Sequence, residues 1–437
     1  MKYADKISDI INAFNLLPLK QDEFDEFYCG ETMAIRHGED IKPQIIDIYE
    51  ECQTPSGNNI FLLSGHTGCG KSTELNKMSD DLKKNGYQVV TLSCLLELDL
   101  FNLDFSDLLN MMSEALLKIA KEIGCDLKKE IKKNLLSFWS TECVEIGILR
   151  DTSEISIEAG AKLETPSFLA QILSVFAKVQ SELKYGDEKR TEYRTKISHR
   201  AGEWVSMLNG VAGSITEKLE GKQPILIFED LDKLDLIKKP EDVLNIFNYK
   251  AALLTGPDFP VIYTFPVAYC YDTRFAALRA YYKDKIIPMI KLTTIDDKPY
   301  QPGIDVIMEI IKRRANPGLF EKDALETLIK KSGGSLRDLF SGIMDSAKNA
   351  IYRKSSIISM KDAESALKNI KNSLTRRIER KHYEFLLDIY RGNRKSIEDK
   401  AMLLEMLRGN IVFEYNEEHW HNVHPLIAEY LEELGLA

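Results

Sequence analysis

No stretch of this chain approaches the ~20 consecutive apolar residues needed to cross a bilayer as a helix, so no membrane partner is expected. Cysteines are few: the seven (Cys29, Cys52, Cys69, Cys94, Cys125, Cys143 and Cys270) are scattered, odd in number and never spaced C-x-x-C. That argues against a disulfide framework or a zinc site and for a reducing, cytoplasmic setting. The opening Met1-Lys2-Tyr3-Ala4-Asp5-Lys6 has charges where a secretory signal needs an apolar stretch. Positive charge is not in excess either; a net charge of −10 excludes wholesale coating of nucleic acid but says nothing about local patches. No internal repeat is visible, and the one biased tract is a charge-rich piece around 185–196, which reads as a solvated helix face or a partner-docking surface. What is present is a chain of 437 residues, 44% hydrophobic, enough for a large core divided among two or three domains.

Between positions 65 and 72 the chain reads Gly-His-Thr-Gly-Cys-Gly-Lys-Ser, a complete G-x-x-x-x-G-K-[ST] phosphate-binding loop. It follows the apolar run Ile60-Phe61-Leu62-Leu63 and leads into a helical pattern from Thr73. This loop works where a buried strand turns into a helix N-terminus, whose free N–H groups and dipole face an anion. Gly65, His66, Thr67, Gly68, Cys69, Gly70, Lys71, Ser72 and Thr73 are therefore the nucleotide-binding candidates. Lys71 reaches the β- and γ-phosphates and Ser72 gives a hydroxyl to Mg²⁺. Upstream, Ile35 and Arg36 are candidates for packing against the base, ahead of a helix predicted over 41–52.

A strand is predicted over 87–92, and a second central strand over 224–228, where Pro-Ile-Leu-Ile-Phe runs straight into Glu229-Asp230-Leu231-Asp232-Lys233. Apolar residues followed at once by carboxylates supply the acidic half of such a site: one holds Mg²⁺ and its neighbour orients the attacking water. A third strand over 261–266 ends at Thr264, a small polar group able to touch the γ-phosphate or to be satisfied by backbone. Arg274 and Arg279 fall on a predicted helix, and a fourth strand is predicted over 286–292.

Elsewhere the periodicity is helical. Between the second and third strands it predicts a helical insertion over about 100–221, with helices at 105–123, 127–138 and 167–183. Helices follow at 304–314, 321–331 and 335–350, the last entered through Gly333-Gly334-Ser335-Leu336-Arg337-Asp338. From 348 to 400 basic residues outnumber acids, which opens a route to DNA. The tail reads helix at 403–409, β-ribbon, then helix at 424–434, a winged-helix-like pattern. His419, His421 and His424 crowd into it without the carboxylates or cysteines of a metal set, and read as structural.

On positions 65–72, 229–232, Thr264 and 333–338, the chain resembles the AAA+ superfamily, in the branch that includes origin-recognition and transposition ATPases and STAND-like signalling ATPases. The match covers about 35–100 and 222–355. It implies an α/β P-loop fold with five parallel strands in the order 5-1-4-3-2, a helical lid over 301–355 carrying Arg337 toward the γ-phosphate, and a 356–437 winged-helix-like domain. With the 1–40 segment and a 41–300 nucleotide domain, that completes the expected organisation. The resemblance also implies a Mg²⁺-dependent ATPase and a trans-acting arginine from a neighbouring subunit, Arg274 or Arg279. One departure stands out: the family places Asp first in its acidic pair, whereas Glu229 leads here. Either Glu229 serves through a bound water, or Asp230 and Asp232 share the work, and slow turnover is expected. The expected function is an ATP-driven switch that controls assembly or a separate effector, as in bacterial anti-phage defence; the alternative is an ATP-dependent DNA loader or replication-type regulator.

Overall fold

The computed structural model describes residues 1–37, 42–54, 59–145, 168–170, 172–174, 177, 187–415 and 420–436. Five strands form one parallel sheet: β1 (Ile60–Gly65), β2 (Val89–Ser93), β3 (Ile225–Glu229), β4 (Val261–Phe265) and β5 (Lys283–Ile287), in the order β2-β3-β4-β1-β5. That is the 5-1-4-3-2 order. β1, β3 and β4 are almost wholly buried, as parallel strands covered by helices on both faces must be. Their β-branched and aromatic content suits that environment.

The last of these strands lies earlier than the sequence predicts. β5 stops at Ile287 because Pro288 brings no N–H to the ladder. The apolar residues beyond it are buried without being strand: Met289, Ile290 and Leu292 pack in the core. Met289 instead bridges the far end of the chain, its N–H bonding the Glu414 carbonyl at 3.3 Å. The segment carrying Arg274 and Arg279 is a 3₁₀ helix, Thr273–Ala280.

The helices that position the site are α1 (Ile7–Ala13), α2 (Glu31–His37), α3 (Gln44–Gln53), α4 (Lys71–Lys84), α5 (Phe105–Glu122), α6 (Lys129–Glu145), α7 (Asp187–Lys218), α8 (Leu234–Ile237), α9 (Gln301–Lys312), α10 (Lys322–Lys331), α11 (Leu336–Tyr352), α12 (Met360–Thr375), α13 (Tyr383–Tyr390), α14 (Lys400–Arg408) and α15 (Pro425–Glu433). α5 to α7 lie between β2 and β3. They are held on one sheet face by buried apolar side chains and by Trp204, whose indole N–H donates to Ser113 Oγ at 2.7 Å. Most of the helix predicted over 167–183 lies outside the described residues.

α9 to α15 share a second core, and α1 joins it. The amino-terminal segment is thus integrated with the lid: Ile7, Ile10, Ala13 and Phe14 are buried at helical spacing, Phe14 meets Phe340 edge-on at 5.3 Å, and Ala4 exchanges backbone hydrogen bonds with Arg314 and Asn316. An antiparallel ribbon, β6 (Val412–Tyr415) with β7 (Trp420–Val423), sends Phe413, Tyr415 and Trp420 into the core on the other sheet face. Burying Phe413 alone contributes about 2 kcal/mol, so the ribbon is fixed to the five-stranded sheet. Among the described residues no helix is long and apolar enough to cross a membrane.

Candidate functional site: a phosphate loop closed from three sides

β1 ends in the loop the sequence singled out. Gly68 (φ +91°) and Gly70 (φ +100°) both take left-handed backbone angles, which lets the chain curl before α4 begins at Lys71. The Lys71 ammonium folds back into the loop, donating to the Gly65 carbonyl at 3.2 Å and to Asp232 Oδ2 at 2.5 Å. Burial acts to lower its pKa, but the charge of Asp232, followed by Cys69 and Glu229, holds it raised. A loop lysine resting on a carboxylate is set to exchange that partner for phosphate oxygens.

The three acidic residues at the end of β3 divide the work differently from the adjacent pair expected. Glu229 is the carboxylate beside Ser72. Burial raises its pKa, with Ser72 and Lys71 opposing and Asp230 and Asp232 assisting. Its Oε1 is buried with no hydrogen-bond partner, so it has capacity to hold a cation or a water. Asp230 also borders the cavity above the loop, but its carboxylate is bonded elsewhere. Its backbone is left-handed (φ +71°), and its carboxylate takes the Ser93 hydroxyl and the Lys233 ammonium, both at 2.6 Å. Burial acts to raise its pKa, but Lys233 and Ser93 hold it low. Asp232 is therefore the carboxylate that takes the Lys71 ammonium, while Asp230 is held by Ser93 and Lys233.

Thr264 lies one layer below. Its hydroxyl donates to the Phe228 carbonyl and accepts from the Leu231 N–H, both at 3.1 Å. Both hydrogen-bonding directions go to backbone, so Thr264 fixes the acidic loop rather than facing the cavity over the phosphate loop. Arg274 is also committed locally: its guanidinium holds Asp272 through Nε and Nη2 and reaches Glu241 at 2.7 Å. Arg279 is exposed and only 3.6 Å from Asp284. Arg279 borders a separate cavity beside β4 and β5.

A cavity of about 380 Å³ lies over the loop. The lid forms one wall: the Leu336 N–H bonds the Gly68 carbonyl at 3.0 Å, and Arg337 and Phe340 line the space with Ile310 and Arg314. The amino-terminal strap forms another through Leu16, Leu17 and Pro18. It is pinned across α4, where Leu19 N–H donates to Thr73 Oγ1 at 3.3 Å and Asn76 Nδ2 to the Leu19 carbonyl at 3.0 Å. Arg36 does reach this cavity, but under the loop: it is buried, with Nη1 on the Pro288 carbonyl at 2.9 Å and Nη2 close behind Gly70. Ile35 packs against the lid core instead.

The third side is the carboxy-terminal ribbon. His66 Nε2 accepts the Glu414 N–H at 2.9 Å, and Asn410 Nδ2 donates to the Thr67 carbonyl at 3.2 Å. Sequence reasoning missed this contact and the strap. An apolar Leu16-Leu17-Pro18-Leu19 run inside a polar segment was a visible signal for the strap; nothing local marked Asn410 or Glu414. Of the tail histidines, His424 Nδ1 accepts from Leu426 N–H and caps α15. His421 lies against the Arg394 carbonyl, and His419 is outside the described residues.

Part of the basic segment is engaged within the molecule. Arg353 pairs with Asp362, Lys371 with Glu429 and Glu433, and buried Arg394 with Asp297. Arg377 and Arg391 bond backbone carbonyls.

No protein-family model matches this chain, and no curated protein does. Among solved structures it is similar to a Walker-type ATPase of Pyrococcus abyssi (15% identity, TM-score 0.43, covering 96% of this chain and 99% of that one). It is also similar to the ORC1 protein of Aeropyrum pernix in complex with DNA (10% identity, TM-score 0.36, 90% and 92%). A third similar structure is the Aeropyrum pernix ORC2 protein (12% identity, TM-score 0.34, 99% and 97%). At these scores the likeness is loose.

Proposed function

We propose that this protein is a Mg²⁺-dependent ATPase of AAA+ type that acts as a conformational switch. The observation that carries the reading is Lys71 held between the Gly65 carbonyl and Asp232, with Glu229 beside Ser72, under a cavity of triphosphate-compatible size. Incoming phosphates displace Asp232 from Lys71. The hard oxygens of Ser72 and Glu229 would suit Mg²⁺, and the orphaned Oε1 of Glu229 is an open acceptor beside them. Held there, the ion would supply charge neutralisation at the β- and γ-phosphates. Glu229, whose pKa is raised, is the group able to take a proton from the attacking water.

At the other end of the cavity the apolar walls from Leu16, Leu17, Ile310 and Phe340 receive the base. Lid, strap and ribbon all meet the loop, so the presence or loss of the terminal phosphate changes contacts in all three. Arg337 is the residue that reads that phosphate for the lid. The output we favour is control of a separate effector, as in defence-signalling ATPases, over DNA loading, because Arg353, Lys371, Arg377, Arg391 and Arg394 of the basic segment are engaged within the chain.

Calorimetry with Mg-ATP tests the reading. We expect saturable binding to the wild type, none to Lys71→Ala, and binding without turnover in Glu229→Gln. Heatless titration of folded wild-type protein refutes it. A duplex-DNA shift with steep salt dependence reverses the choice of output.

A further inference from the structure

We propose that Arg408 is a catalytic arginine supplied in cis: the carboxy-terminal unit brings it to the phosphate site, and Asp235 stores it until a terminal phosphate is bound. This rests on the ATPase reading above.

Two sets of contacts locate it. Arg408 ends α14, and two residues later Asn410 bonds the Thr67 carbonyl; the turn that carries the arginine therefore presses on the phosphate loop itself. From the opposite side, Asp232 and Asp235 are three residues apart on a continuous helical stretch, 231–237, and so share a face about 5–6 Å apart. Asp232 takes the Lys71 ammonium, and Asp235 takes Arg408, Nε to Oδ2 at 3.7 Å. Asp235 thus holds the guanidinium one helical turn from the carboxylate that holds Lys71, just outside the residues that line the cavity over the loop.

Its storage is loose. A separation of 3.7 Å is an ion contact without a hydrogen bond. Nη2 lies 3.5 Å from the Tyr269 hydroxyl, and the buried Nε has no hydrogen-bond partner. An unmade bond at a buried charged group is costly, and phosphate oxygens would relieve it with the forked geometry a guanidinium favours. Burial also pushes the Asp235 carboxyl up to about 6, against the pull of Arg408 and Lys71 and with Asp232 assisting. Arg274, one of the arginines the family resemblance offers for this task, is locked to Asp272 and Glu241.

In the step Arg408 serves, the water oxygen bonds to the terminal phosphorus as the bridging P–O bond breaks. The bridging oxygen keeps the electron pair as ADP. One water proton passes through Glu229 to solvent and the other stays on the phosphate. Arg408 offsets the negative charge on the oxygens during transfer.

The test uses the full chain. Arg408→Ala should lower kcat by about 10³-fold or more while ATP affinity by calorimetry stays close to wild type. Arg408→Lys, which keeps the charge and the stem, should fall in the same direction and serves if the alanine variant does not fold. Independently of turnover, ADP with Mg²⁺ and aluminium fluoride, a mimic of the transferring phosphoryl group, should bind wild type more tightly than ADP alone, and Arg408→Ala should lose that gain. Asp235→Asn frees the arginine and should raise kcat. The wild-type rate per molecule should not depend on protein concentration. Wild-type turnover in Arg408→Ala overturns the proposal. So does an Asp235→Asn variant as slow as Arg408→Ala, which reduces the pair to an anchor, or a specific rate that climbs with concentration, which assigns the arginine to a neighbour. Wild-type protein that neither binds nor hydrolyses ATP refutes the ATPase reading instead.

Discussion

Protonating His66 should pry the carboxy-terminal ribbon off the phosphate loop. The ring is 2% exposed, and its Nε2 accepts the Glu414 N–H, which an imidazolium cannot do. Burial, opposed by Glu414 and Asn410 and assisted by His421 and Lys71, pulls its pKa from 6.5 to about 4. With the folded value depressed, the unfolded chain binds the extra proton first, so the stabilisation is intact above pH 6.5 and is lost as pH falls to 4. At 1.36 kcal/mol per unit, the loss amounts to about 3 kcal/mol. Other groups titrate in the same window: His37, also pulled to about 4, adds to the slope, and Asp235, raised to about 6, opposes it. The informative quantity is therefore the difference between wild type and His66→Gln, which keeps an acceptor and removes the titration. Denaturant midpoints from pH 4 to 8 should show the steeper acid loss in wild type, and amide exchange at Glu414 should accelerate in acid only when His66 is present. Identical slopes for the two proteins, or an imidazole resonance titrating near 6.5, would refute the reasoning.

Gly68→Ala places a Cβ 2.7 Å from that of Arg337 at φ +91° and should cost about 2 kcal/mol or more, read as a lower denaturant midpoint together with loss of the thermal shift given by Mg-ATP. Thr264→Val keeps shape but leaves the Leu231 N–H and Phe228 carbonyl unbonded; stability should fall by about 1–3 kcal/mol and hydrolysis should drop while nucleotide affinity holds. Glu229→Gln should arrest turnover with Mg-ATP bound, whereas Asp230→Asn should only loosen the acidic loop. Equal arrest in both variants contradicts the roles assigned to the two carboxylates.

The sheet was legible because each central strand is a short apolar run closed by punctuation: the loop glycines after β1, and Glu229 after β3. The phosphate loop was legible because its chemistry is local, eight consecutive residues whose spacing is the mechanism. β5 was misplaced for the converse reason. The run 286–292 is apolar throughout, and apolarity marks burial without telling strand from buried coil; the proline at 288 was the arbiter. The roles of Asp230 and Asp232 depend on one left-handed residue, φ +71° at Asp230, which composition does not reveal. The strap and the ribbon escaped because their partners lie far off in the chain: Leu19 with Thr73 and Asn76, and Glu414 with His66.

That last separation has a consequence for biosynthesis. His66 and Glu414 are 348 positions apart, so at 5–20 residues per second a ribosome needs roughly 17–70 s to deliver one after the other. β1 is flanked by β4 and β5, so the loop at its end is fixed only after those strands have emerged, and its outer clasp comes later still. The ribbon therefore docks last, onto a sheet that is already assembled.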